Sequence, residues 1–314
     1  MVIAVLADIV GSRRLDDRTA APHILDYIDV IHEPARKSDF VMRIYRELDA
    51  PYIAPDVMAR AEVILRKAEL TVAGNADLER RVRHAHMPVW YVLAKRGPGS
   101  PTWSAVNDAL GDSGRLDMAQ VAAGFARVVQ DYRINAVAEG EILEPWLAWL
   151  QDYAPLCAGG SFPVPPELEG KDLSKVRLIQ GCQFDSRGRW YTRAGGASDG
   201  WGVKQPTEAW TVICALDDPD HFTAGRAYRL SVRARADVKP DVAGRAWQAG
   251  VWRSRTRRTP AQVRVDAEQA RDARWHVYDM GTFAPEEGDR FYFATVPAAC
   301  NEVIIDCMWL EEVE

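Results

Sequence analysis

Cysteine is scarce and never paired at CxxC spacing: there are five (Cys157, Cys182, Cys214, Cys300, Cys307) in 314 residues. An odd, scattered set is a poor fit to a disulfide framework or a zinc site. Buried thiols in a reducing compartment fit better. A single Cys300–Cys307 bridge is the alternative, open if both lie on neighbouring turns of chain. Long apolar runs are also missing. No stretch approaches the roughly 20 residues that span a bilayer, so no membrane partner is expected. The opening MVIAVLADIV lacks a basic leader and a cleavage site, and meets Asp8 too early for a signal peptide. As written the chain reads as soluble and cytoplasmic. Excess positive charge is absent too. With Lys+Arg 39 against Asp+Glu 45 the formal charge is −6, which supplies no field to release counterions from phosphates and argues against nucleic-acid binding. No P-loop, Ser-His-Asp arrangement or complete dinucleotide fingerprint occurs.

What is present falls into two halves of different period. From Ala21 to about Tyr153 the apolar spacing is helical. Ile24, Leu25, Ile28 and Ile31 form one stripe, Phe40, Ile44 and Leu48 a second. Pro55 opens a helix lined by Val57, Ala61, Ile64, Leu65 and Ala68, which should stop at Gly74-Asn75. Asp77–Ala94 reads as its antiparallel partner, with a kink or break expected at Pro88. GPGSP (97–101) is a turn cluster, and Leu116–Tyr132 and Ile142–Tyr153 complete a helical bundle.

After AGGSFPVPPELEG (158–170) the period changes to short alternating runs. In RAYRLSVRARAD, Tyr228, Leu230, Val232 and Ala234 share one face and Arg229, Ser231, Arg233 and Arg235 the other. In the final run Val303, Ile305, Cys307 and Trp309 should face one way, and Ile304, Asp306, Met308 and Leu310 the other. Further strands are expected at Val176–Phe184, Ala209–Leu216, Arg245–Ser254, Trp275–Phe283 and Arg290–Val296. The expected fold is thus multidomain α + β: a 1–20 leader, a 21–157 α-helical domain, a 158–170 linker, and a 171–314 antiparallel β-sandwich of jelly-roll type.

The segments YIDVIHEPAR (27–36), YIAPDVMARAEVILRKAE (52–69), ERRVRHAHMPVWYVL (79–93), GRAYRLSVRARAD (225–237) and NEVIIDCMWL (301–310) resemble the C-terminal helical and β-sandwich part of an uncharacterised bacterial family related to α-glucuronidase-type glycoside hydrolases. The export status of that family is left open. The resemblance implies a catalytic (β/α)-barrel before these segments, for which the residues ahead of position 20 leave no room. The expectation is therefore a non-catalytic carbohydrate-binding accessory region, with a separate catalytic domain as a partner. Two alternatives are support domains without a ligand, and a regulatory protein, since IAVLADIVGSRRLDDR (3–18) resembles the start of SatD-like proteins.

The candidate chemistry is weighed against ordinary structural roles. Glycoside hydrolysis needs two carboxyls about 5–5.5 Å or about 6.5–9.5 Å apart. Glu139 with Glu141 is the suggestive pair, but acids before a helix are explained by its dipole. His84 and His86, two apart on a helix, cannot chelate one metal as an i, i+4 pair could. The eleven Trp offer either core or sugar-stacking platforms. Trp190, Tyr191, Asp199 and Trp201 flank the AGGASDG loop as sugar contacts, with Trp201 expected to face solvent and Trp210 the core. Trp247 should be core and Trp252 surface. RSRTRR (253–258) reads either as a solvated loop or as a clamp for uronate carboxylates, with Arg253 and Arg255 as its forks. Asp306 with Asp185 is the candidate ligand set for a structural calcium; no other cofactor is expected. The partner class is a polysaccharide or oligosaccharide, uronate-containing if the clamp reading holds.

Overall fold

The computed structural model describes residues 20–37, 50–136, 143–184, 191–205, 210–215, 225–286 and 288–313, with 210–215 described by backbone only. The 3–18 segment with Asp8, the 40–48 stripe, Glu139, Glu141, Asp185 and Trp190 lie outside them, as does the Trp210 side chain. The chain divides into two compact units. One is Met1–Val137 with Leu150–Phe162, the other Ala138–Trp149 with Pro163–Glu314. The described residues are mixed α + β, with helices mostly N-terminal and antiparallel strands C-terminal.

Six helices carry most of the first half: α1 (Ala21–Lys37), α2 (Pro55–Thr71), α3 (Ala76–Arg96), α4 (Pro101–Leu110), α5 (Met118–Tyr132) and α6 (Leu143–Leu156). Pro55 occupies the first turn of α2, and Val57, Ala61, Leu65 and Ala68 are all buried, as the sequence spacing demands. Gly74 takes a left-handed φ of +89° in the α2–α3 turn. Asn75 then caps α3, its side chain accepting from the Leu78 amide. The expected break at Pro88 does not occur. Helix α3 continues through it with Met87, Val89 and Trp90 buried on either side, so core packing outweighs the one backbone bond that proline removes. The turn cluster behaves as read: Gly97 ends α3, Ser100 caps α4 and Pro101 opens it.

The second unit holds ten described strands in two antiparallel sheets. β1 (Val176–Gln180), β2 (Tyr191–Arg193), β3 (Trp201–Gln205), β5 (Ala227–Val238), β8 (His276–Phe283) and β10 (Cys300–Val313) form a six-stranded sheet ordered β2-β3-β10-β5-β8, with β1 also on β10. β4 (Trp210–Ala215), β6 (Arg245–Arg253), β7 (Gln262–Asp266) and β9 (Asp289–Thr295) form the other, ordered β4-β9-β6-β7. A single helical turn, α7 (Ala267–Ala270), follows β7. β2, β3 and β7 are additions to the sequence-based set. The sheets meet through Trp247, which stacks on Phe293 and packs edge-on to Tyr278, both at 4.7 Å between centroids. Trp247 is fully buried, as expected of the core member, while Trp252, expected at the surface, is half-buried.

The pairing of β10 with β5 corrects the final-run alternation. Ile305 faces Ala234 and Cys307 faces Arg233, so Asp306 is an extra residue on β10. A bulge of this kind reverses every side chain beyond it. Met308 and Leu310 therefore join Ile305, Val232 and Leu230 on the inner face. Cys307 and Trp309 turn to the outer face, where they pack under Leu168 and Val176. Residues 163–175, of which 163–170 belong to the stretch read as linker, thus cover part of the sheet. Cys300 and Cys307 sit seven apart on this one strand. At about 3.3 Å rise per residue they are far beyond bridging reach, which overturns that pairing.

Candidate functional site

The sequence-derived residues separate into two groups, both in the two-sheet unit. The first surrounds the AGGASDG loop on the outer face of the six-stranded sheet. Ala194 N donates to Gly200 O at 2.9 Å and closes the loop, while Gly196 and Gly200 take φ of +78° and +81°. The loop is pinned from below. Ser198 N donates to Asp306 Oδ1 at 2.9 Å, and Ser198 Oγ stands 2.7 Å from that oxygen and 2.8 Å from Gln180 Oε1. Arg233 Nη1 donates to Asp306 Oδ2 at 2.5 Å and to Gly196 O at 3.0 Å, and its Nε reaches Glu167. The Asp306 bulge is what aims its carboxylate at Arg233.

Asp199 closes the other side. Its Oδ2 accepts from Trp149 Nε1 at 2.8 Å and its Oδ1 from the Trp201 amide at 2.9 Å. Burial, with the nearby Asp306 charge adding, pushes its carboxyl up to about 7. Burial also raises Asp306, against the pull of Arg233 and Ser198. Trp201 is only 5% exposed, so the expectation that it faces solvent is corrected: the Arg193 guanidinium covers its ring at 4.8 Å. Tyr191 is buried too, its hydroxyl donating to Phe184 O. Asp199, Tyr191 and Trp201 therefore brace the loop, with the Asp199 carboxyl and the Tyr191 hydroxyl engaged inside the protein.

Asp306 does not suit a calcium ion in this arrangement. One of its oxygens holds a guanidinium and the other a serine amide and hydroxyl, so a cation would have to displace Arg233. Among the described residues no cluster of three or more His, Cys, Asp or Glu could hold a metal. The sequence reading passed over Trp275. Its indole Nε1 donates to Gly195 O at 3.0 Å, and both Arg233 and Arg235 lie 5.1 Å from its ring. Its position just before β8, opposite the arginine-rich face of β5, was the available signal.

The second group lies at the end of β6 in the four-stranded sheet. Arg253 Nε and Nη2 donate to the two oxygens of fully buried Asp289, both at 2.8 Å, and Nη2 also reaches Ala284 O. Glu286 pairs with Nη1. Arg253 and Arg258 exchange backbone bonds of 2.9 and 3.4 Å across the turn, and Arg257 adopts a left-handed φ of +54°. The turn is fixed, and on it Arg255, Arg257 and Arg258 are exposed. Their guanidiniums have no carboxylate partner among the described residues. Trp252 precedes the turn.

The helical unit contains a buried charge cluster that sequence reading missed. His86 is fully enclosed. Its Nε2 meets Glu62 at 2.7 Å and its Nδ1 meets Glu69 at 2.8 Å, while Arg66 Nε donates to Glu62 at 2.7 Å. Burial alone would lower His86, but the two glutamates outweigh it and hold the ring up at about 9. Burial would raise Glu62, yet His86 and Arg66 bring it to about 2. His84 instead stacks on Tyr132, so the two histidines do point apart. Glu62, Arg66 and Glu69 at i, i+4 and i+7 were the available signal.

No protein-family model matches the chain, and no curated protein does. Several solved structures overlap it loosely. A Podospora anserina GH26-CBM35 β-(1,4)-mannanase shares 12% identity over 45% of this chain and 28% of its own, with a TM-score of 0.30. The CBM22-1 xylan-binding domain of Paenibacillus barcinonensis Xyn10C shares 14% over 44% of this chain and 82% of its own, at 0.29. A family GH115 4-O-methyl-α-glucuronidase with specificity for decorated arabinogalactans shares 9% over 94% of this chain and 38% of its own, at 0.30. Overlaps this loose leave function to be read from the chain's own residues. Among those described, no helix is long and apolar enough to cross a membrane.

Proposed function

We propose that the two-sheet unit is a jelly-roll-type carbohydrate-binding accessory region without catalytic activity of its own, and that its ligand is a uronate-containing polysaccharide. The observation that supports this is the β6 turn. Arg253 is locked onto Asp289, and the turn it holds follows Trp252 and exposes Arg255, Arg257 and Arg258, which have no carboxylate partner among the described residues. A guanidinium fork matches a planar carboxylate, and a rigid turn reduces the ordering cost of binding. Trp252 offers an apolar surface for the C–H face of a sugar ring. A partner catalytic domain would then act on the captured polymer.

Affinity electrophoresis in gels containing polygalacturonate or glucuronoxylan tests this. The expected result is retardation that fades with added salt and is absent in a neutral mannan gel. No retardation by either uronate polymer would remove the proposal. The burial of Tyr191, Asp199 and Trp201 favours a second reading, pure structural support, which predicts no retardation in any gel.

A further inference from the structure

We propose that the buried Asp199–Asp306 pair is a one-proton latch on the 194–200 loop: it holds the loop closed while the pair shares a proton, and eases it open when both carboxyls ionise. The inference stands apart from the carbohydrate reading, because it concerns the interior of the outer sheet face and not the β6 turn.

The charge inventory supports it. Asp306 on β10 faces one guanidinium, Arg233 of β5, and that cation also serves Glu167 of the 163–175 segment. Among the described residues Asp199 faces only neutral donors, Trp149 of α6 and the Trp201 amide. Gln180 of β1 and Ser198 of the loop are uncharged. The Cys307 thiol is held neutral by burial. Arg193 of β2 lies over the Trp201 ring. Asp306 and Glu167 therefore share the one cation of this cluster, and among the described residues Asp199 pairs with none.

The Ser198 hydroxyl adds a geometric point. It stands within hydrogen-bond reach of both Gln180 Oε1 and Asp306 Oδ1, yet it has one proton to donate. With that proton on Gln180, a proton on Asp306 Oδ1 donated to Ser198 Oγ satisfies the remaining contact. Two interacting carboxyls of this kind titrate as a pair, with one held protonated to higher pH. The upward displacement of both agrees. Opening the loop would release Gly195 O from Trp275 and Gly196 O from Arg233.

Hydrogen exchange at the Ser198 and Trp201 amides, corrected for intrinsic rates, is the test between pH 4.5 and 7.5. Protection in the wild-type chain should fall as pH rises, by up to about tenfold per pH unit for one proton, and level off above about pH 7. Asp199→Asn keeps an acceptor for the Trp201 amide and removes the like charge, so its profile should be flat. A flat wild-type profile, or an equal slope in Asp199→Asn, overturns the latch. Trp149→Phe gives an independent arm: it deletes a hydrogen bond that favours ionised Asp199, so levelling should move to higher pH. Unchanged levelling in Trp149→Phe also overturns it.

Discussion

Two arginine–aspartate pairs anchor the two candidate sites, and they are built alike but used differently. Arg233 meets Asp306 under the 194–200 loop, and Arg253 meets Asp289 at the β6 turn. Both aspartates are fully buried, and the arginine side chains are 6% and 13% exposed. What lies above each pair differs. Over Arg233 the loop, Trp275 and Glu167 close the site. Over Arg253 the chain turns outward and exposes three arginines that have no carboxylate partner among the described residues. A buried ion pair is a means of fixing backbone, and recognition belongs to whatever it holds up to solvent.

The largest expected effect comes from breaking the open site's brace. Arg253→Met leaves Asp289 buried without its partner and should cost about 3 kcal/mol in chemical denaturation, together with polymer retardation. Loss of stability with retained retardation would show that the turn does not depend on its brace. Arg233→Met should cost a similar amount, about 3 kcal/mol at pH 8, but less toward acid pH, because burial raises the Asp306 carboxyl. Asp306 beside Asp199 can take up a proton there and lose the charge that needs Arg233. A pH-independent cost would mean that Asp306 is ionised throughout.

The helical unit titrates in different pH windows. His86 is raised from 6.5 to about 9, so its contribution is complete below pH 6.5 and lost as pH climbs through 9. Glu62 is lowered from 4.5 to about 2, so its contribution is present above 4.5 and lost as pH falls through 2. Asp199, raised from 3.8 to about 7, binds its proton more tightly when folded. Its contribution is complete below 3.8 and disappears as pH rises to 7. Exchange protection around Glu62 and His86 should therefore stay level between pH 5 and 6.5 while protection around Asp199 declines. The smallest stability effect is expected for Arg255→Ala, within about 0.5 kcal/mol of wild type in the same denaturation assay.

Much of this was legible in the sequence where one period ran undisturbed. The α2 stripe and the inner face of β5 followed from spacing alone, and Trp247 was placed by its apolar neighbours. The bulge at Asp306 was not legible, because one inserted residue is set by pairing to another strand and leaves no local mark. It reversed Cys307, Met308, Trp309 and Leu310. Burial of Arg233 was hidden for a related reason: alternation shows which face a residue takes, not whether a distant loop covers that face. β2 and β7 were missed because Tyr-Thr-Arg is too short, and Gln-Val-Arg-Val-Asp too charged, to stand out. The β6 turn was found by its charge run, although Arg253 proved to be a brace and Arg255 the presented group.

The division between brace and contact is tested most directly by running wild type, Arg255→Ala and Asp199→Asn side by side in a polygalacturonate affinity gel at pH 5 and low salt. Wild type and Asp199→Asn are expected to be retarded alike, and Arg255→Ala to migrate as in a gel without polymer. Retardation of Arg255→Ala equal to wild type, or its loss in Asp199→Asn alone, would contradict the account.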